Sequence, residues 1–412
     1  MEHLTVTAAQ RCVMESVKLL GSETVRLDRS LGRVLAEDIH SNRDQPPYDV
    51  SAMDGFAIRS ADVAKVPAVL EVVEDIKAGG MPSWTVQAGQ CARIMTGAPV
   101  PQGADAVIRV EDTHAVSDLR VRIDCSVKAG NDIRPRGESM RDGEVVLRRG
   151  TEITPGVIGM LAMVKRANVL VYRQPRVAIL STGDELEGLN EPFDAGKIPD
   201  SNSHALMAQV QALGIEPVLL GIARDDPDEL RRYLQQGLQF DVLLVSGGTS
   251  VGVHDYVRPT LEALGVQMMF WRVAMKPGHP VAFGIAADAC VFGLPGNPVS
   301  SMVCFEQFVL PALRGMMGNP RPYRRTIEAT LGREVGHRPG RTEFIRVTLD
   351  RQECGYVAVS TGAQGSGMPS SMASADGLLV VPSGSDGVAA NSKVTVQLLD
   401  GTAYQEEAGG EW

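Results

Sequence analysis

From Arg176 to Leu313 short apolar runs alternate with amphipathic stretches so regularly that few folds accommodate the pattern. RVAIL reads as a strand, and SNSHALMAQVQALG follows as a helix with Leu206, Val210 and Leu213 on one face and Gly214 as its stop. EPVLLGIA is a second strand, DDPDELRRYLQQGL a helix with Pro227 near its start, and DVLLV a third strand. A helix around 256–264 comes next, then VQMMFW, PVAFGI and ACVFG as strands, and a long helix from Asn297 to about Leu313. Strands alternating with helices of this length predict a parallel sheet with helices on both faces.

The flanking segments have another texture. The N-terminal stretch carries Val13, Val17 and Leu20 at helical spacing, with a cap near Thr7. Beyond Arg43, short β-branched runs (AVLEVVEDI, ADAVIRVED, LRVRIDCSV) lie between Gly- and Pro-rich turns, which predicts a β-rich module. Thr154-Pro155 then offers a cap and a first-turn proline leading into GVIGMLAMV. Packing of that helix on the N-terminal one would make the β-rich module an insertion. The expected fold class is multidomain α/β plus β: a helical linker domain from 1–42 and 140–172, an inserted β-rich domain 43–139, an α/β domain 173–320 and an all-β domain 321–412.

Composition excludes several functions. Forty basic against fifty acidic side chains, with a net charge of −10 and no basic run, leave no footprint for a nucleic-acid backbone. Aromatic content of 5% argues against base-stacking platforms. The cysteines (Cys12, Cys91, Cys125, Cys290, Cys304, Cys354) show no metal-like spacing and read as reduced thiols, and His254 and His279 lack ligand-spaced partners, so zinc is not expected. No apolar stretch approaches the roughly 18 residues of a membrane span, and the opening is not a signal peptide. A cytoplasmic location without membrane partners is expected.

In open α/β sheets, ligands bind beyond the carboxyl ends of the strands. Here those ends carry STGDEL, RDD, SGGTSVGVHDY and LPGNPVS. They supply Glu185, Asp225 and Asp255, with Asp184 and Asp226 adjacent. Singly, Asp184, Asp225 or Asp226 also suits a cap or turn; together they point to a shared metal–phosphate site, since magnesium takes one or two carboxylates plus water and ligand oxygens. Ser246-Gly247-Gly248-Thr249-Ser250 offers consecutive amides for an anion, or else a plain turn, and neither the Walker nor the dinucleotide fingerprint is present. Pro295-Gly296-Asn297-Pro298 either aims a helix N-terminus at the crevice or simply starts a helix. Arg272 and Lys276 are the nearest cations for an oxyanion, unless they are solvated surface. The loops around Asp54 and Thr96 suggest a contact surface or a pair of well-made turns.

PPYDVSAMDGFA, IMTGAPVPQGADAVIRVED, STGDEL, SGGTSVGVHDY, KPGHP and LPGNPVS, in order along the chain, resemble the signature segments of the molybdopterin molybdenumtransferase family, the MoeA and gephyrin E-domain proteins. The resemblance implies a C-terminal β-barrel-like domain and an elongated homodimer whose site joins the α/β crevice of one subunit to the inserted domain of the other. It also implies the reaction: molybdate and adenylylated molybdopterin, with Mg2+, yield molybdenum cofactor and AMP, with molybdopterin adenylyltransferase as substrate donor. By the same resemblance Glu185, Asp225 and Asp255 belong to an acidic site that holds the metal. Ser246, Gly247, Gly248 and Ser250 are the residues of the glycine loop expected to bind the substrate's anionic oxygens, and Pro295 and Pro298 match the family's pocket-lining prolines. Asp54 and Thr96 come from the inserted domain, and Arg134, Arg272 and Lys276 are basic positions near the site. Two places depart from the family pattern: Gly137-Glu138-Ser139, where GED is common, and His279, where KPGKP is frequent. The rival expectations are adenylylation of molybdopterin and a gephyrin-like scaffold role.

Overall fold

The structure, a computed structural model, describes residues 4–248, 256–353 and 355–399. Helix α1 (Val6–Ser16) is capped by Thr5, whose Oγ1 accepts from the Ala8 N–H at 3.2 Å, so the cap falls before the expected Thr7. Helix α2 (Pro155–Met163) begins as expected, with Thr154 as cap and proline in the first turn. The two helices do not share a core. Val6, Ala9 and Val13 of α1 pack with the α/β domain, whereas Leu161 of α2 lies with Leu35, Ile39, Val169 and Val171. The expected packing of α2 on α1 is therefore corrected, while antiparallel pairing of Ser22–Arg26 with Asn168–Tyr172, and of Ile39–His40 with Val145–Leu147, joins the segments on either side of the inserted stretch around α2. An amphipathic stripe says that a face is buried, not against what.

The inserted stretch forms a six-stranded sheet in the order Ala106–Arg109, Gly55–Ile58, Gln90–Ile94, Ala68–Ile76, Arg120–Ile123, Thr113–Ser117. At the C-terminus five strands close into a barrel, because Thr342–Gln352 pairs with both Gly355–Ser360 and Gly377–Val381.

Between them lies the sheet that positions the site. Its strands are β1 (Val177–Thr182), β2 (Val218–Ala223), β3 (Val242–Ser246), β4 (Gln267–Phe270), β5 (Ala282–Ala286) and β6 (Ala289–Leu294), in the order β2-β1-β3-β6-β5-β4. The first four in that order are parallel, but β5 is antiparallel to both β6 and β4, so one reversed strand corrects the expected parallel sheet near one edge. The cause is local. Ala286 pairs with Ala289, so only Ala287 and Asp288 connect β5 to β6, and a two-residue connection can only reverse the chain. Helices cover both faces: α3 (Ser201–Gln211) packs over Val177 and Ile179, while α4 (Pro227–Gly237) and α5 (Val257–Ala263) pack over Ala178 and Leu180.

The long C-terminal helix of this domain is α6 (Pro298–Cys304), a π turn at Phe305–Val309, and α7 (Leu310–Met316). The π turn is wholly buried and points Glu306 and Gln307 inward. Glu306 accepts from Arg324 Nε at 2.6 Å and from Gln209 Nε2 at 2.7 Å. Gln10 of α1 donates to the Gln307 carbonyl at 3.2 Å, and Gln307 Nε2 donates to Gln397 of the barrel at 2.6 Å.

The Glu306 and Arg324 side chains are only 4% and 5% exposed, so removing the arginine leaves the Glu306 charge in the interior without its cation. Arg324→Met is expected to cost about 3–5 kcal/mol in urea unfolding, and Glu306→Leu with Arg324→Met to recover most of it. A single variant as stable as the parent would mean that the pair is not what holds this junction.

Candidate active site

The carboxyl ends of the parallel strands form the crevice. β1 and β2 are neighbours with Thr182 opposite Ala223, so Glu185 and Asp225 leave from adjacent strand ends. Gly183, at φ 141°, permits the turn: a Cβ there would lie 2.3 Å from Glu185 Oε2. Asp184 and Asp226 serve the backbone. Asp184 accepts from the Asp225 N–H at 3.1 Å, and Asp226 caps α4 by accepting from the Glu229 N–H at 2.8 Å. Among the described residues the carboxylates of Glu185 and Asp225 accept no hydrogen bond and form no ion pair, which leaves them available to a ligand. Asp255 and Ser250 lie outside the described residues. Within the described residues no three His, Cys, Asp or Glu side chains converge on a metal position. Two carboxylates are nevertheless a hard-oxygen donor set of the kind magnesium accepts, with the remaining positions left to water and ligand.

At the end of β3 the expected run of free amides is interrupted. The Gly247 N–H donates to the Leu294 carbonyl at 3.1 Å, whereas the Gly248 N–H has no partner among the described residues. Both positions require glycine: φ is 93° and 60°, and a Cβ would meet Thr182 O at 2.5 Å or Val257 Cγ2 at 2.3 Å. Ser246 Oγ accepts from Asn202 Nδ2 at 2.8 Å. Pro298 begins α6 and Pro295 is buried beneath it, but this helix start is not open to the crevice as expected. The Val299 N–H donates to Ser366 O and Asn297 Nδ2 donates to Ser366 Oγ, each at 3.1 Å, so a loop of the barrel domain occupies it.

Two of the three basic candidates are paired. Lys276 bonds Glu343 of the barrel at 2.8 Å, where His337 Nδ1 donates to the other carboxylate oxygen at 2.8 Å. Burial pushes the Glu343 pKa up, but hydrogen bonds from Lys276 and His337 outweigh it and hold the carboxyl below its ordinary value. Arg134 bonds Glu138 at 2.8 Å, so the residue beside the Ser139 departure engages one of the expected cations. Arg272 is half-buried and forms no ion pair among the described residues. His279, the other departure, places Nδ1 2.7 Å from the Val273 carbonyl.

Asp54 and Thr96 form one unit. The Thr96 N–H and hydroxyl both donate to Asp54 Oδ1 at 2.7 Å, and these bonds hold the carboxyl below its ordinary pKa. Among the described residues none of their bonds reaches the α/β domain. Burial raises the Cys91 thiol to about 12 and Cys290 to about 11, so neither is a thiolate nucleophile at neutral pH.

Sequence reasoning missed Asn202, which also donates to the Gly296 carbonyl at 2.8 Å and so touches two crevice loops. The signal was a surplus: in Asp200-Ser201-Asn202-Ser203 one residue suffices to cap α3, and Asp200 does so.

Uncommitted carboxylates and a tight glycine turn at the carboxyl edge of a sheet covered on both faces define an α/β protein with its crevice where open sheets of this class bind ligands. Residues 4–164 match the MoeA N-terminal region (domain I and II), 178–315 a probable molybdopterin binding domain, and 328–399 the MoeA C-terminal region (domain IV). The chain is 35% identical over 417 residues to the molybdopterin molybdenumtransferase of Bacillus subtilis (strain 168), covering 99% of this chain and 96% of that one. It is 35% identical over 389 residues to the enzyme of that name from Staphylococcus aureus (strain Mu50 / ATCC 700699), covering 93% of each. The crystal structure of the molybdopterin biosynthesis moeA protein from Pyrococcus horikoshii OT3 superposes with a TM-score of 0.84 at 30% identity, over 97% of this chain and 100% of that one. The chain belongs to the molybdopterin molybdenumtransferase family, the MoeA proteins.

Because the Asp54 carboxyl titrates below the ordinary range, any stability it lends is present above the unfolded pKa and lost as pH falls through the lowered folded value. Thr96→Val removes the hydroxyl donor and leaves the N–H, so the carboxyl pKa should rise part of the way to its ordinary value. Carbon-detected NMR titration of the Asp54 carboxyl measures this, and an unchanged midpoint would show that the hydroxyl contributes nothing.

Proposed function

We propose that the protein inserts molybdenum from molybdate into adenylylated molybdopterin, breaking the phosphoanhydride and releasing AMP. The observation that carries this is the pair Glu185 and Asp225, uncommitted at adjacent strand ends beside the Gly247-Gly248 turn, in a chain of this family. Glu185, Asp225 and Asp255 would hold magnesium, which supplies charge neutralisation on phosphate oxygens when bound. The crevice residues do the rest by positioning. Gly248 offers its N–H to an anionic oxygen at the end of β3, and the turn keeps side chains out of the way. Arg272 gives the incoming oxyanion a cation that is not already paired among the described residues. Lys276 serves the same end only by exchanging Glu343 for the substrate, and Arg134 by releasing Glu138.

In this reading the active species is a homodimer, with Asp54 and Thr96 of one subunit's inserted domain facing the other's crevice. The closed Asp54–Thr96 unit, with no bond into its own α/β domain among the described residues, is consistent with that arrangement. The domain limits that go with it are 1–42 with 140–172, 43–139, 173–320 and 321–412. Molybdopterin adenylyltransferase would deliver the substrate.

Glu185→Gln and Asp225→Asn are each expected to lower molybdate-dependent AMP release by about 10²–10³, with a smaller effect on substrate affinity. Single-turnover assays with the adenylylated substrate measure both. Full release by either variant would remove that carboxylate from the mechanism, and adenylate made from ATP and free molybdopterin would favour the sister activity instead.

A further inference from the structure

Asn202 sits in the first turn of α3, where it is not needed as a cap. Its Nδ2 donates to Ser246 Oγ and to the Gly296 carbonyl, both at 2.8 Å. Because a carbonyl can only accept, the nitrogen must face Gly296, and this settles the amide orientation. One side chain thus ties the residue before Gly247-Gly248, at the end of β3, to the Pro295-Gly296-Asn297-Pro298 turn after β6. The two loops are already close: a Cβ on Gly296 would lie 3.8 Å from the Gly247 Cα, and the Gly247 N–H bonds Leu294 O.

The polar atoms left over on this face point the same way. Among the described residues Asn202 Oδ1 is buried without a hydrogen-bond partner, and so is Ser181 Oγ. Ser181 pairs in register with Ser246 on the neighbouring strand, and both lie on the sheet face that α3 covers. A buried acceptor and a buried hydroxyl without partners cost free energy that an apolar pair would avoid. Asn202 is the residue whose two donated bonds offset part of that cost.

We infer that Asn202 is a positioning residue of the crevice, clamping the glycine turn after β3 to the proline turn after β6 so that both present fixed backbone to the substrate's anionic groups. This rests on the crevice being the substrate site. The clamp acts on binding more than on chemistry, because it organises ground-state contacts and touches no reacting atom.

Two variants test it. Asn202→Asp keeps the shape, loses both donors and sets an oxygen against the Gly296 carbonyl; Asn202→Ala loses the donors without adding charge. For both, KM for adenylylated molybdopterin is expected to rise about tenfold, with kcat within about threefold of the parent. Amide hydrogen exchange of the ligand-free protein should quicken in peptides covering 243–248 and 293–300 while those of the barrel stay unchanged. KM within about twofold of the parent, a loss confined to kcat, or unchanged exchange in either crevice peptide overturns the clamp. If the parent itself releases no AMP, the proposed function fails, and the exchange measurement alone decides: faster exchange in both peptides upholds the clamp, and unchanged exchange overturns it.

Discussion

The buried π turn at Phe305–Val309 is the constraint on which the rest of the molecule depends. A π turn widens the helix by one residue and breaks the regular ladder, which is tolerated where the displaced side chains gain something. Here Glu306 and Gln307 gain partners from every side: Gln209 on α3, Arg324 before the barrel, Gln10 on α1 and Gln397 in the barrel. An apolar core alone would let these units slide. Directional bonds between buried polar groups set one register, because a shifted arrangement would leave charges and amides without partners.

That register reaches the site through the same helix. Its first residues follow the Pro295–Pro298 turn at the crevice, and its start is covered by Ser366 of the barrel domain. Lys276 makes the converse connection: Met275–Lys276 pairs in parallel with Thr342–Glu343 of a barrel strand, and the lysine side chain meets the buried Glu343. The barrel thus meets the α/β domain at two places as well as forming a separate β unit. The cations and helix dipole that an isolated α/β domain would present to an anion are partly taken up by it.

Much of the architecture was legible in the sequence. Alternating apolar runs and amphipathic stretches gave the strands and helices of the α/β domain, because both periods are written locally. Strand direction was legible in principle, since AADA leaves room only for a reversal between β5 and β6, but an apolar run carries no arrow and the short gap has to be counted. The destination of α1 was not legible, as its stripe fits any apolar surface. The site divides in the same way. Glu185 and Asp225 stand out because carboxylates at strand ends have a local meaning, while the partner of Lys276 lies in another domain and no spacing rule reaches it.

What distinguishes the crevice is which acidic groups are satisfied and which are not. Asp184, Asp226 and Asp200 look in the sequence much like Glu185 and Asp225, yet each accepts a backbone N–H and fixes a turn or a helix start. The satisfied carboxylates hold the loops, so the unsatisfied pair is held without being neutralised. Acidic residues at a sheet edge are therefore weak indicators of a site by their number. They become strong ones when their neighbours already supply every cap the backbone needs.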